Sequence, residues 1–457
     1  MARHWMAWVL VGLAAAGLAA GCNDNEVTAL PADGGARLDG TAGTAGSGGN
    51  AGTAGGAGTA GTGGNAGMDG GAGAGGVDGG DAGPPPGTNP VGVVVVPGAQ
   101  TDGGSTTPRL LVAGTDFTTT TEVASVDVAA KTVSGRLSVS DADAVPAASG
   151  GLGFVLERTN GRVDLLAADG TLDKSFDVAQ TGSGSAVATS RAYVPLYDDS
   201  RVAVLDLGAG TVSHSLDLSS YLDASDGDGS VDADNAVYDK QSGRLYLTLQ
   251  RIDRTTIAAP SYELACPPVP SLLIAFDTTT DTEVDLNGSA AGKAIALSTV
   301  NPVSAVLDQG KLVILSAGCF DTSDGGATRV KQGVESVDPS TGQSSVLYQS
   351  SNDDFLARML LVGAGQTLVD RFDSSFIEHW NRYQVGASAL GSELVGWPDG
   401  VSYDGSGGLF GVATTSSDGG SNVAVVRYDL TTGNTTTLLS SPWQGPVTSA
   451  AGTALVE

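Results

Sequence analysis

From Val91 to the C-terminus, short runs of Val, Leu, Thr and Tyr alternate with clusters of Gly, Asp and Ser. The clusters recur roughly every eight to twelve residues, and no long stretch keeps a helical period, so the pattern predicts strands joined by tight turns. One signature repeats: an apolar residue, then Asp, then a small polar turn that often closes on Gly. It stands at Val126-Asp127, Ala168-Asp169, Leu205-Asp206, Phe276-Asp277, Val337-Asp338 and Tyr428-Asp429, with Trp380-Asn381 as a degenerate seventh copy. The Asp carboxylate can accept backbone N–H groups within the turn, and the Gly can take the left-handed conformation that reverses the chain. These aspartates are therefore read as structural rather than catalytic.

Each signature follows an outward-bound strand, such as Arg191-Ala192-Tyr193-Val194 or Arg244-Leu245-Tyr246-Leu247. A shorter strand of small residues precedes that one, as at Ala186-Val187-Ala188 or Val303-Ser304-Ala305-Val306. A fourth strand follows, as over residues 212–218. Four antiparallel strands per unit and seven units predict an all-β fold, a seven-bladed β-propeller. The stretch from Arg191 through Val202-Ala203-Val204-Leu205-Asp206 to Thr211-Val212 resembles a blade of the YVTN family of bacterial surface propellers. That resemblance implies an architecture and transfers no active site. The C-terminal Val447-Thr448-Ser449-Ala450 reads as an inner strand without partners, and the first unit, residues 110–139, lacks one. The simplest closure has the C-terminus complete the first blade, which removes exposed sheet edges. A pair of β-sandwiches is the competing fold; it predicts neither a regular unit nor complementary ends.

Composition separates this body from what precedes it. Between Asp33 and Pro90, 24 of 58 residues are Gly, against 41 of 367 from Val91 onward. Residues 22–90 hold too few large apolar side chains to offset the entropy of ordering, so they read as a disordered Gly/Ala/Thr-rich tether. A Gly-rich coil of this length spans about 45 Å. Such stalks resemble those of predicted myxobacterial lipoproteins. Residues 91–457 form the propeller.

Residues 1–21 read as an export signal: a short basic start to His4, then an apolar run from Trp5 to Ala20 that is short for a membrane span. Leu18-Ala19-Ala20-Gly21-Cys22 resembles the bacterial lipoprotein signal, although Ala19 stands where that family prefers Leu. The resemblance implies lipidation of Cys22, attachment to a membrane and a cell-envelope location. Asn23, rather than Asp, points to the outer membrane, on the cell surface or in the periplasm. An ordinary secretory signal is the competing reading. With Cys22 acylated, Cys266 and Cys319 remain as an even pair in an oxidising compartment and predict a disulfide; two buried thiols are the alternative.

Strand order places the irregular segments. Residues 219–235 follow a fourth strand, while residues 252–270 and 317–331 separate second from third strands in the next two units. All three therefore open on one face of consecutive blades, and the Cys266–Cys319 bridge would tie two of them together. Elaborated loops on a rigid scaffold are where binding usually resides. The first insertion is acidic, with Asp223, Asp226, Asp228, Asp232 and Asp234. Asp226, Asp228, Asp232 and Asp234 are candidate oxygen ligands for calcium. Counted from Asp226 the EF-hand pattern fails, because Val231 occupies the sharp-turn Gly position and no Glu closes the loop. A solvated acidic loop is the competing reading. Arg251, Asp253 and Arg254 open the second insertion and are candidates to rim a pocket, or else pair with loop charges. Trp397 is the aromatic candidate for ligand contact.

Charge and chemistry narrow the function. The chain has 22 Lys and Arg against 50 Asp and Glu, a formal charge of −28, which excludes a nucleic-acid binder that must meet phosphates with clustered bases. Three histidines, one of them His4, leave little for a histidine-rich metal centre. His214 and His379 are read as strand residues, and Gly-x-Ser-x-Gly is absent. The favoured reading is a lipid-anchored binding or scaffold propeller for an unidentified protein or small-molecule ligand. The alternative is a metal-dependent hydrolase or lactonase using the acidic face.

Overall fold

A strand near the axis of a radial sheet is covered on both sides by neighbouring sheets, so it must be apolar and slim, whereas the outermost strand meets water. The computed structural model of the chain follows this gradient. It describes residues 27–28, 89–96, 108–116, 118–182, 190–224, 227–258, 263–288, 292–324, 328–350, 354–417, 420–444 and 449–456. The expected signal sequence, Cys22 and nearly all of the expected tether lie outside these residues.

Seven antiparallel sheets follow one another as blades. From the centre outward, blade 1 takes Ser449–Val456, Arg109–Thr115, Thr121–Asp127 and Thr132–Val139. Blade 2 takes Ala144–Ser149, Leu152–Glu157, Arg162–Leu166 and Leu172–Asp177. Blade 3 takes Val94–Val96, Arg191–Leu196, Arg201–Asp206 and Thr211–Asp217. Blade 4 takes Ala233–Asp239, Arg244–Leu249 and Leu272–Asp277, with an outer strand split into Thr282–Val284 and Ile295–Ala296. Blade 5 takes Pro302–Asp308, Lys311–Ser316, Gly333–Asp338 and Gln343–Gln349. Blade 6 has Phe355–Gly363, Gln366–Phe372 and Glu378–Gln384. Blade 7 takes Asp399–Tyr403, Gly408–Ser417, Gly420–Asp429 and Thr435–Ser440. Pro302–Asp308 is buried at every position, while Gln343–Gln349 of the same blade has none buried.

Apolar clusters lie between successive blades. Leu111 and Val123 of blade 1 meet Val155 and Leu166 of blade 2. The ring closes where Leu110, Val126 and Leu455 of blade 1 meet Phe410 and Val425 of blade 7. The C-terminal strand therefore completes the first blade, as expected, but it runs over Ser449–Val456 rather than residues 447–450, and Val447 and Thr448 lie outside the described residues.

The turn signature also folds as its chemistry dictates. The Oδ1 of Asp206 accepts the Ala209 N–H at 2.9 Å, and that of Asp338 accepts the Ser340 N–H at 2.9 Å. The Oδ1 of Asp429 accepts the N–H groups of Thr431 and Thr432, at 3.0 and 2.7 Å. Gly210, Gly342 and Gly433 close these turns at φ near +72° (72°, 71° and 73°).

Two departures from a regular repeat matter. The strand paired with Arg191–Leu196 is Val94–Val96, not the adjacent Ala186-Val187-Ala188, which lies outside the described residues. Val93 and Val95 fill the cluster between blades 2 and 3, while Val94 turns into the one between blades 3 and 4. Successive β-branched side chains thus wedge two cores at once. Pairing extends upstream: Pro90 bridges Leu196, and the Tyr197 N–H bonds Asn89 O at 2.9 Å. In blade 6 a fourth strand was expected and is replaced by an irregular run. Gly391 N–H bonds Arg382 O at 2.7 Å, Leu394 N–H bonds Trp380 O at 2.8 Å, and Asn381 bridges Glu393. Separately, Val27–Thr28 pairs with Ala236 and Val237 and lies against the inner strands of blades 2 and 5.

The inserted strand predicts a sharp truncation boundary. Removing residues 37–82, which form a unit apart from the propeller, should leave its melting temperature unchanged. Val94→Asp, which puts an unpaired charge into the core between blades 3 and 4, should destabilise the fold by about 3 kcal/mol or more in urea titration.

Candidate functional site

The three insertions open on one face, as strand order requires, over blades 3, 4 and 5. The first is shorter than expected, because Ala233–Asp239 already forms the inner strand of blade 4. It begins with a single 3-10 turn, Ser219–Tyr221.

Arg254, from the second insertion, reaches back into the first. Its Nε lies 2.7 Å from Oδ2 of Asp228, its Nη1 pairs with Asp198, and its Nη2 is 3.5 Å from Oδ1 of Asp232. The guanidinium also stands 5.0 Å from the centroid of the Tyr197 ring. Burial works against this cation, but Asp232, Asp198 and Asp228 around it hold its pKa above the usual arginine value. The cluster is keyed into the frame. Ile252 N–H bonds Asp232 Oδ2 at 2.9 Å, Ser230 Oγ donates to Tyr197 O at 2.9 Å, and Tyr197 Oη donates to Gln250 Oε1 at 2.7 Å. Burial, then Asp232, raises the Tyr197 hydroxyl well above its ordinary range.

Two groups of candidates that the sequence kept apart therefore meet. Asp228 and Asp232, expected as calcium ligands, surround Arg254, expected at a pocket rim. Arg251 bonds Pro270 O at 3.1 Å and lies 3.6 Å from Asp223. Asp253 accepts the Thr255 N–H at 2.9 Å and the Thr256 hydroxyl at 2.6 Å, organising its own turn. Asp234 is buried on the inner strand and is bonded by the Asn235 amide. Asp226 lies outside the described residues. Among the described residues, no three His, Cys, Asp or Glu side chains are grouped to hold a metal ion.

The second and third insertions are joined by the Cys266–Cys319 disulfide, with Cα atoms 4.8 Å apart. Cys266 N–H bonds Phe320 O at 2.9 Å beside it. Arg329 then stacks its guanidinium on Phe320, 4.6 Å from the centroid, and on Phe355 of blade 6 at 5.3 Å. The face is one stapled surface from blade 3 to blade 6.

Trp397 is half-buried and packs edge-on against Trp380, centroids 6.5 Å apart, over the core between blades 6 and 7. His379 is held between Glu393, 2.9 Å from Nδ1, and Asp373, 3.2 Å from Nε2. Those carboxylates raise its pKa, Glu393 foremost. His214 sits elsewhere, its Nε2 3.1 Å from Asp281, which also pairs with Arg191 at 2.8 Å.

A second charged group escaped the sequence reading. Arg358, on the inner strand of blade 6, is buried with its guanidinium 3.9 Å from Asp370 and 4.7 Å from the Trp380 ring centroid. Burial lowers the pKa of Arg358, while burial and the neighbouring Glu378 carboxyl push Asp370 well up. The visible signal was a lone Arg inside the apolar run Phe355-Leu356-Ala357-Arg358-Met359-Leu360.

No protein-family model and no curated protein sequence matches the chain. Solved structures similar to it include TolB from Acinetobacter baumannii (TM-score 0.40, 10% identity, 76% of this chain and 66% of that one), so the match spans just under two thirds of that protein. The β-propeller domain of Cps50 (Swd1) from Myceliophteria thermophila gives a TM-score of 0.43 and 11% identity over 74% of this chain and 99% of that one. The Dos1 propeller gives 0.39 and 12% over 76% and 87%. The fold rests on the strand pairing itself: a seven-bladed β-propeller.

Arg254→Ala should cost about 3 kcal/mol at neutral pH, because it leaves three acidic side chains facing one another, one of them fully buried. Calcium or EDTA should leave the melting temperature of the wild-type chain unchanged. His379 has a raised folded pKa, so its clasp contributes fully below the ordinary value of 6.5 and fades as pH climbs through the raised one. The stability gap between wild type and His379→Gln should therefore be widest below pH 6.5 and shrink as pH rises above it.

Proposed function

We propose that this chain is an exported, lipid-anchored propeller of the cell envelope that binds a protein or small-molecule ligand through its elaborated face. The observation that carries the reading is the concentration of insertions on one face, cross-tied by a disulfide and by Arg254. Chain length is added there and then immobilised, as preorganised recognition requires. The disulfide fits an oxidising compartment, in keeping with the signal-like N-terminus. The YVTN-like pattern of blade 3 and the stalk composition support a bacterial surface setting, with Cys22 as the lipidated residue and the outer membrane as the site of attachment. The hydrolase alternative draws no support from the described carboxylates, since Asp228 and Asp232 are engaged by Arg254, Asp223 by Arg251 and Asp234 by Asn235.

Two measurements test the reading. Cys22→Ser should move the protein from the detergent phase to the aqueous phase in Triton X-114 partition. Replacing residues 252–270 and 317–331 with short turns should abolish cross-linking to envelope components while the shortened chain still melts cooperatively, at a lower temperature. Retained cross-linking would place the binding surface elsewhere on the ring.

A further inference from the structure

Among the described residues, six large apolar side chains are exposed, and three of them cluster on blade 6: Phe376 at 51%, Ile377 at 57% and Val395 at 80%. Phe376 and Ile377 stand in the turn between the second and third strands. Val395 stands in the connection from blade 6 to blade 7. By strand order both loops open on the face that carries the insertions. The Asn381–Glu393 bridge and the Leu394–Trp380 bond run this connection antiparallel to Glu378–Gln384, which carries Val395 to the end where Ile377 stands. Half-buried Trp397 extends the patch inward.

The turn is fixed rather than loose. Asp373 Oδ1 accepts the N–H groups of Ser375 and Ile377, at 2.8 and 3.0 Å. Phe376 N–H bonds Asp373 O at 2.8 Å, and Asp373 N–H bonds Ile377 O at 3.0 Å. His379 ties Asp373 to Glu393 across the two loops. Phe376 adopts a φ of 59°, where Gly or Asn would be more stable. A phenyl ring held outward on a strained backbone gains nothing from water, and clustered apolar tips on rigid loops mark recognition surfaces.

Charge selects the occupant. Asp373 and Glu393 stand at the edge of the patch, two carboxylates to the one His379 imidazole between them, and the whole chain carries a formal charge of −28. A second copy carries the same charge and is repelled, as is an anionic lipid surface. We propose that Phe376, Ile377 and Val395 dock a basic segment of a partner protein that carries apolar side chains. The proposal rests on the binding-module reading and deepens it, extending the face to blade 6 and stating the chemistry of the partner.

The test uses the full chain, a combined Phe376→Ser, Ile377→Ser and Val395→Ser variant, a synthetic peptide of alternating Lys and Leu, and its Glu and Leu counterpart. All three substituted positions are exposed, so the variant should melt with the wild type. The Lys–Leu peptide should bind wild type at least about tenfold more tightly than the variant, in line with loss of anchor residues. It should also slow amide exchange in residues 373–379 and 391–397, and the Glu–Leu peptide should bind neither protein. Equal affinity for wild type and variant would overturn the proposal. So would patch-dependent binding to zwitterionic vesicles, or a dimer that the variant loses. If replacing residues 252–270 and 317–331 abolishes envelope cross-linking but the Ser variant keeps it and binds the peptide normally, the binding-module reading stands and the blade 6 patch falls.

Discussion

Every blade here depends on its two neighbours, because a single twisted sheet of four strands cannot cover either of its own faces. The energy of the fold resides in the apolar layers between blades, where fully buried Val, Leu and Phe side chains interlock. A layer between each pair of neighbours leaves no blade with an open face only if the ring is closed. Closure is therefore the governing constraint, and two segments that pair far from their own places in the sequence serve it. Ser449–Val456 completes blade 1, and Val94–Val96 completes blade 3. The second is the more demanding, because alternate valines must satisfy two layers simultaneously.

Electrostatics shapes the surface that this frame presents. With few cations in a strongly acidic chain, where each arginine goes is informative. Arg254 and Arg251 are turned into the insertion face, converting what reads as an acidic loop into a set of mutual contacts. Arg329 spans aromatic rings from two blades, and Arg358 sits inside blade 6. The contacts of Arg251, Arg254 and Arg329, with the disulfide, tie the loops to one another and to the frame.

Features encoded by neighbouring residues were legible in the sequence. The Asp-initiated turns follow from side-chain chemistry within four residues, and the repeat of those turns carries the strand order that puts all three insertions on one face. Cys266 and Cys319 could be paired because two cysteines remain after Cys22. What could not be read depends on distant partners. Nothing local to Val93-Val94-Val95-Val96 names blade 3 as its destination, and a closer candidate stood at Ala186-Val187-Ala188. The meeting of Arg254 with Asp228 and Asp232 joins two loops that the sequence presents as separate candidates. The missing outer strand of blade 6 is an irregular run held by three backbone contacts, which has no periodic signature. Phe376 reads as an ordinary strand flank until its backbone angle places it outside.

The closing strand of blade 1 also imposes an order on assembly. Arg109–Thr115 is made before blades 2 to 7, yet its inner partner, Ser449–Val456, is made only after them. Blade 3 likewise waits, since Val94–Val96 is produced long before Arg191–Leu196 exists to receive it. Pairings between such distant parts of a chain form late and slowly. A ring of this connectivity cannot seal until the blades between these partners have been made, so the inner edge of blade 1 waits unpaired for Ser449–Val456.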